Sequence, residues 1–100
     1  MQQTSTRQGA HPGKHLLTAI YQVRCSKSQF ARHLGISRQT LYEILSGKQS
    51  ITATMALKIS RLTGTKPESW LELQCAFDLV QARRQLRQAL ADIPQLNPAW

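Results

Sequence analysis

The stretch SKSQFARHLGISRQTLYEILSG, Ser26 to Gly47, limits what this chain can fold into more than any other segment. It reads as two short helices with a tight glycine turn between them. Ser26 is placed to cap the first helix and Ser37 the second, because a serine hydroxyl accepts from the free N–H groups of a helix start. Phe30, Ala31 and Leu34 put one apolar stripe on the first helix, and Leu41, Ile44 and Leu45 put another on the second. Gly35 permits the left-handed backbone that stops one helix and aims the next, and Gly47 ends the second. Ala31 is small where the helices approach, and Ile36 fills the gap beneath the turn.

These features together describe a helix-turn-helix unit at about residues 26–47. Its outward face points to a ligand class. A merely solvated face mixes Glu and Lys at i, i+4 spacing, whereas the third helix of the chain presents Ser37, Arg38, Gln39 and Thr40, then Tyr42. Arg matches guanine edges in two bonds and Gln matches adenine, while Ser and Thr hydroxyls serve bases or phosphates. Arg38, Gln39 and Tyr42 are therefore the candidates for base edges or the thymine methyl. Ser37 and Thr40 divide between bases and backbone. Lys27, at the start of the preceding helix, and Lys48 with Gln49, in the loop that follows, are the candidates for phosphate contacts that fix register. Glu43 is the awkward residue on this face, since DNA repels a carboxylate unless it accepts from cytosine N4; as an exposed partner of Lys48 or Arg38 it would have a purely structural role.

The distribution of charge agrees. Thirteen Lys and Arg against five Asp and Glu give a net charge of +8, which selects anionic partners. The first fifty residues carry seven of these cations against Glu43 alone, and the second fifty carry six against four acids. Double-stranded DNA is the expected partner.

The rest of the chain supplies helices and little else. One hundred residues, 41% of them hydrophobic, suffice for a single core. Residues 1–10 are polar and without period, so they read as a flexible arm. Leu16, Leu17, Ile20, Tyr21 and Val23 recur at helical spacing, predicting a first helix over 14–24 with one buried stripe. Thr52 caps a fourth helix with Met55, Ile59 and Leu62 on its inner side, closed by Gly64. Thr65-Lys66-Pro67-Glu68 combines a capping box with a proline in the first turn, and from Trp70 the pattern runs through Leu73, Phe77, Val80, Leu86 and Leu90 with no breaker before Pro94. Residues 11–92 form the expected domain, ending in a dimerisation helix, with 93–100 as a tail. The fold class is all-α. The last helix carries more apolar residues than one core-facing side requires, and Trp70, Phe77, Leu79 and Val80 are the candidates for contact with a second chain; packing in the chain's own core is the alternative, the commoner use of such a stripe and the favoured one at Trp70 and Leu73. Arg83, Arg84 and Arg87 are left open between a solvated face, a backbone contact and an acidic partner site.

Other classes are disfavoured. His11 and His15 are separated by Pro12-Gly13, so they do not share one helical face as a zinc helix motif requires. His33 stands alone. There is no glycine-rich phosphate loop, nucleophile elbow or carboxylate pair, so neither catalysis nor a cofactor is expected. Cys25 and Cys75 read as reduced packing residues, no apolar run approaches the roughly 18 residues of a membrane span, and the N-terminus lacks the apolar core of a signal peptide. A cytoplasmic protein without membrane attachment is the expectation. A pure protein-interaction module, built on the long last helix, is the remaining rival.

HPG at His11 to Gly13, LGISRQTLYEILSGKQSITATMALKISRLTGT at Leu34 to Thr65 and ESWLELQCAFDL at Glu68 to Leu79 resemble the HigA-type antitoxins of bacterial toxin–antitoxin modules, within the Cro/repressor-like (Xre) class. The resemblance spans about residues 11–82. It implies a five-helix Cro/repressor-like domain with an extended C-terminal helix, acting as a homodimer that represses its own operon and neutralises a ribosome-dependent, mRNA-cleaving toxin of the HigB type. A stand-alone Xre-family repressor is the alternative. Between Gly13 and Ser26 the chain carries Lys14, His15, Arg24 and Cys25 where the family often has an acidic, Pro-Leu-Gly-bearing stretch.

Overall fold

A computed structural model describes residues 11–97; the expected arm at residues 1–10, and the end of the tail at 98–100, lie outside the described residues. Among the described residues six helices follow one another: α1 (Gly13–Gln22), α2 (Lys27–Leu34), α3 (Arg38–Leu45), α4 (Ala53–Thr63), α5 (Pro67–Gln85) and α6 (Arg87–Ala91). No strand occurs among the described residues, and the class is all-α. The core draws on α1 to α5 and the loop before α4: Leu16, Ile20, Phe30, Leu34, Leu41, Ile44, Ile51, Ala56, Ile59 and Trp70 are all buried.

The HPG sequence fixes where α1 starts and what it meets. A Cβ at Gly13 would overlap the carbonyl oxygen of Leu45 and come within 2.7 Å of that of Ile44. Glycine at 13 thus lets the N-terminal end of α1 lie against the C-terminal carbonyls of α3, a favourable meeting of opposite helix-end partial charges. His11 secures the approach. Its Nδ1 accepts from the Gly13 N–H at 3.1 Å, its ring lies over Gly47, and Phe77 of α5 meets it edge-on with centroids 5.9 Å apart.

The expected stripe on α1 needs correction. Its buried residues are Gly13, Leu16, Ala19 and Ile20, whereas Tyr21 is 68% exposed and Val23 also faces solvent. Tyr21 falls on the outer side of a helix that buries positions 13, 16 and 20. Val23 lies past its end, where Arg24 takes a left-handed φ of 56°.

The start of α5 differs in its chemistry. Pro67 occupies the first turn, but the capping box expected at Thr65 to Glu68 does not form: Lys66 is the N-cap residue, without a side-chain cap. Thr65 Oγ1 instead accepts from the indole Nε1 of Trp70 at 2.7 Å. This bond satisfies the one polar atom of a tryptophan otherwise sunk in the core. Further along, Gln74 is buried, and its Oε1 accepts from the Ile51 N–H at 2.7 Å while its Nε2 donates to Asp78 at 3.0 Å. The loop after α3 is thereby tied to α5 through a backbone donor that would otherwise lack a partner.

The last helix is not continuous to Pro94. It breaks at Leu86, whose φ of −104° and ψ of 13° separate α5 from α6. No residue of α6 is buried, so the core does not hold this stretch in line with α5. Cys25 packs against the core as expected, but Cys75 is exposed on α5 and is not a packing residue.

Two substitutions test this account by urea denaturation. Gly13→Ala is expected to destabilise by about 1–3 kcal/mol, because the neighbouring atoms are backbone and cannot rotate away. Gln74→Ala is expected to cost about 1–3 kcal/mol by orphaning the Ile51 N–H. Midpoints equal to the parent's would contradict both assignments.

Candidate nucleic-acid interface

Local sequence sets the geometry of α2 and α3. The Ser26 hydroxyl accepts from Gln29 N at 3.1 Å, and Gln29 Oε1 accepts from Ser26 N at 3.1 Å, closing a capping box. Gly35 ends α2 in the left-handed region with φ 73°, and the Ile36 N–H returns to the Ala31 carbonyl at 3.0 Å. The chain then reverses into Ser37, whose hydroxyl accepts from Thr40 N and donates to Thr40 Oγ1, each at 3.0 Å. Leu41 and Ile44 are buried beneath, so α3 shows its Arg38, Gln39 and Tyr42 side chains outward.

The candidate residues fall into two groups. At the first, Lys27 Nζ stands 5.9 Å from the centroid of the Tyr42 ring, a cation–π distance, and Arg38 Nη1 donates to Ser28 Oγ at 3.4 Å. The start of α2 thus meets the outward face of α3 twice, Lys27 at Tyr42 and Ser28 at Arg38. At the second, Gln39 Nε2 donates to Glu43 Oε2 at 2.9 Å and Gln49 Nε2 donates to Glu43 Oε1 at 2.8 Å. The main chain of Glu43 closes the following turn, its carbonyl accepting from Lys48 N at 2.8 Å and Gln49 N at 3.1 Å. Lys48 itself is exposed.

The purely structural role envisaged for Glu43 is therefore altered in its partners: its carboxylate holds two glutamine amides rather than Lys48 or Arg38. Ser37 and Thr40 are engaged with one another as the cap of α3. Ser28 carries Arg38 and was not singled out from the sequence, because it belongs to neither stripe and meets Arg38 only across the turn. Gln74 was also missed, being a polar residue inside an apolar pattern; its place in the ESWLELQCAFDL stretch was the available signal.

The four residues named for a second chain separate. Trp70 is 4% exposed and belongs to the core of its own chain, so it leaves the interface set. Phe77 and Val80 are half-buried, and Leu79 is 45% exposed. Leu79 and Val80 border a shallow hollow with Ala76 and Arg83.

The helix-turn-helix family model matches residues 20–71. The chain belongs to the helix-turn-helix family. Over 73 residues it is 34% identical to an HTH-type transcriptional regulator of Escherichia coli (strain K12) named as uncharacterised, covering 73% of this chain and 78% of that protein. Among solved structures it is similar to an addiction module antidote protein of the HigA family from Coxiella burnetii, with a TM-score of 0.78, 34% identity and coverage of 87% and 97% of the two chains. It is equally similar to the antitoxin GraA in complex with its operator, at TM-score 0.78 and 34% identity over 90% and 93%. By name, these three are a transcriptional regulator and two antitoxin-type proteins. Among the described residues no three His, Cys, Asp or Glu side chains gather as a metal site, and no helix is long and apolar enough to cross a membrane.

The geometry of this helix-turn-helix chain predicts that Ser37→Ala lowers stability by about 1 kcal/mol, since Thr40 N loses its acceptor. Thermal unfolding followed by circular dichroism checks it. An unchanged midpoint would mean that water replaces the cap without loss.

Proposed function

We propose that the protein is a dimeric, sequence-specific DNA-binding antitoxin of the HigA type, which represses its own operon and neutralises a HigB-type mRNA-cleaving toxin. The observation that carries the reading is the capped α3 with Arg38, Gln39 and Tyr42 outward and Lys27 and Lys48 at its flanks, in a chain similar to an antitoxin solved with its operator. In this reading α3 enters the major groove, where Arg38 reads guanine O6 and N7 and Gln39 reads adenine. Tyr42 reaches a base edge or a thymine methyl. Ser37 and Thr40 lie at the backbone end of α3, and Lys27, Lys48 and Gln49 hold phosphates. A second copy packs on the outer part of α5 through Phe77, Leu79 and Val80, so that two α3 helices face the two halves of a palindromic site.

A second reading is supported by the similarity to the Escherichia coli transcriptional regulator: a stand-alone repressor of the Xre type, with the same DNA face and no toxin. Co-expression with a small reading frame adjacent to the gene separates the two. Relief of growth arrest and a co-purifying complex support the antitoxin; arrest without relief, or no complex, supports the stand-alone repressor.

Titration of a duplex from upstream of the gene tests the DNA face at fixed salt. Arg38→Ala or Gln39→Ala is expected to cost about 1–3 kcal/mol and to relax specificity at one position, whereas Lys27→Ala and Lys48→Ala weaken binding to all duplexes and each lower the salt slope by about one. Parental binding by all four variants would contradict the assignment. Sedimentation at tens of micromolar should show a dimer; a monomer, with half-sites bound independently, would contradict the interface on α5.

A further inference from the structure

Glu43 lies on the face expected to approach phosphates, where its charge opposes binding, and its carboxylate contacts two of the residues assigned to that face. We propose that Glu43 is a positioning residue that sets sequence specificity, by fixing which way the amides of Gln39 and Gln49 point. The inference rests on α3 being a DNA-reading helix. A glutamine amide has a donor end and an acceptor end of nearly equal shape, so a free Gln39 can present either to a base. A carboxylate offers acceptors alone. With Glu43 Oε2 2.9 Å from Gln39 Nε2, and Glu43 Oε1 2.8 Å from Gln49 Nε2, both amides must turn their nitrogen ends toward Glu43.

The consequence for Gln39 is a defined outward edge. One N–H is taken by Glu43, which leaves its second N–H and its Oε1 as a donor and an acceptor. Adenine shows the complementary pair in the major groove, N7 as acceptor and the N6 amino group as donor. A neutral residue at 43 would free the amide to flip and lose that preference. The carboxylate also acts on affinity: one negative charge facing the backbone weakens binding to every sequence alike, which lowers overall affinity and leaves the ratio between sequences to the oriented amides. The backbone carbonyl of Glu43 holds Lys48 and Gln49 independently of its side chain, so the loop keeps its course when the carboxylate is removed.

Selection from a pool of randomised duplexes tests the proposal, using the full chain, Glu43→Gln, Glu43→Ala, and Gln39→Ala and Arg38→Ala as references. Circular dichroism establishes that each variant is helical. The parent is expected to select a motif, and Gln39→Ala to mark the position that Gln39 reads. Both Glu43 variants should lose preference at that position, keep it at the position lost in Arg38→Ala, and bind a scrambled duplex several-fold more tightly than the parent. A Glu43→Gln or Glu43→Ala motif identical to the parent's overturns the role of Glu43 and leaves the DNA face standing. Equal loss at every position by a folded variant also overturns it. A parent that selects no motif overturns the DNA-reading assignment and this inference with it.

Discussion

The first turn of α1 lies directly on the last carbonyls of α3, and it does so because residue 13 is a glycine. A helix whose start is fixed against the end of another helix sets the direction of both. Here the helix so fixed is the one that carries Arg38, Gln39 and Tyr42 outward. His11 adds a second hold at the same point by spanning Gly13, Gly47 and Phe77. At the other end of α3, the turn at Gly35 and the cap at Ser37 set the angle to α2. The outward face of α3 is thus held by backbone geometry at both ends, and its Arg38, Gln39 and Tyr42 side chains stand outside the core.

Polar side chains then fasten the loop that follows. Ile51 is buried and brings its N–H into the protein, where Gln74 of α5 meets it. Lys48 and Gln49 precede Ile51 and therefore take their position from α5 as well as from the Glu43 carbonyl. The outer part of α5, with Phe77, Leu79 and Val80, is the same helix on which a second copy is proposed to pack. Phe77 also touches His11. The proposed dimer contact and the proposed DNA contact are accordingly linked through α5, a suitable basis for matching the spacing of two half-sites.

Much of this was legible in the residues. Serine caps, Gly35, and the stripes at Phe30, Leu34, Leu41 and Ile44 follow from helix geometry, and all reappear in the structure. What escaped depends on contacts distant in the chain. Thr65 has the spacing of a cap residue, but a tryptophan five residues on competes for its hydroxyl, and a buried indole N–H without an acceptor costs more than an uncapped helix start in water. Gln74 was hidden because periodicity counts apolar residues only. Trp70 illustrates the converse, since an apolar residue at helical spacing reads alike whether its own core or a second chain receives it. The break at Leu86 has no residue type to announce it; it comes where burial stops holding the helix.

The central claim is that α3, held from both ends, is the surface that reads DNA. Backbone amide shifts of the isotope-labelled protein, followed by NMR as a duplex from upstream of its gene is added, test it most directly. The account predicts saturable changes confined to the start of α2, the outward positions of α3 and the Lys48–Gln49 loop, at two protein chains per palindrome, and far weaker changes with a scrambled duplex. Changes centred on α5 or α6 with α3 unaffected, or equal changes with both duplexes, would contradict it.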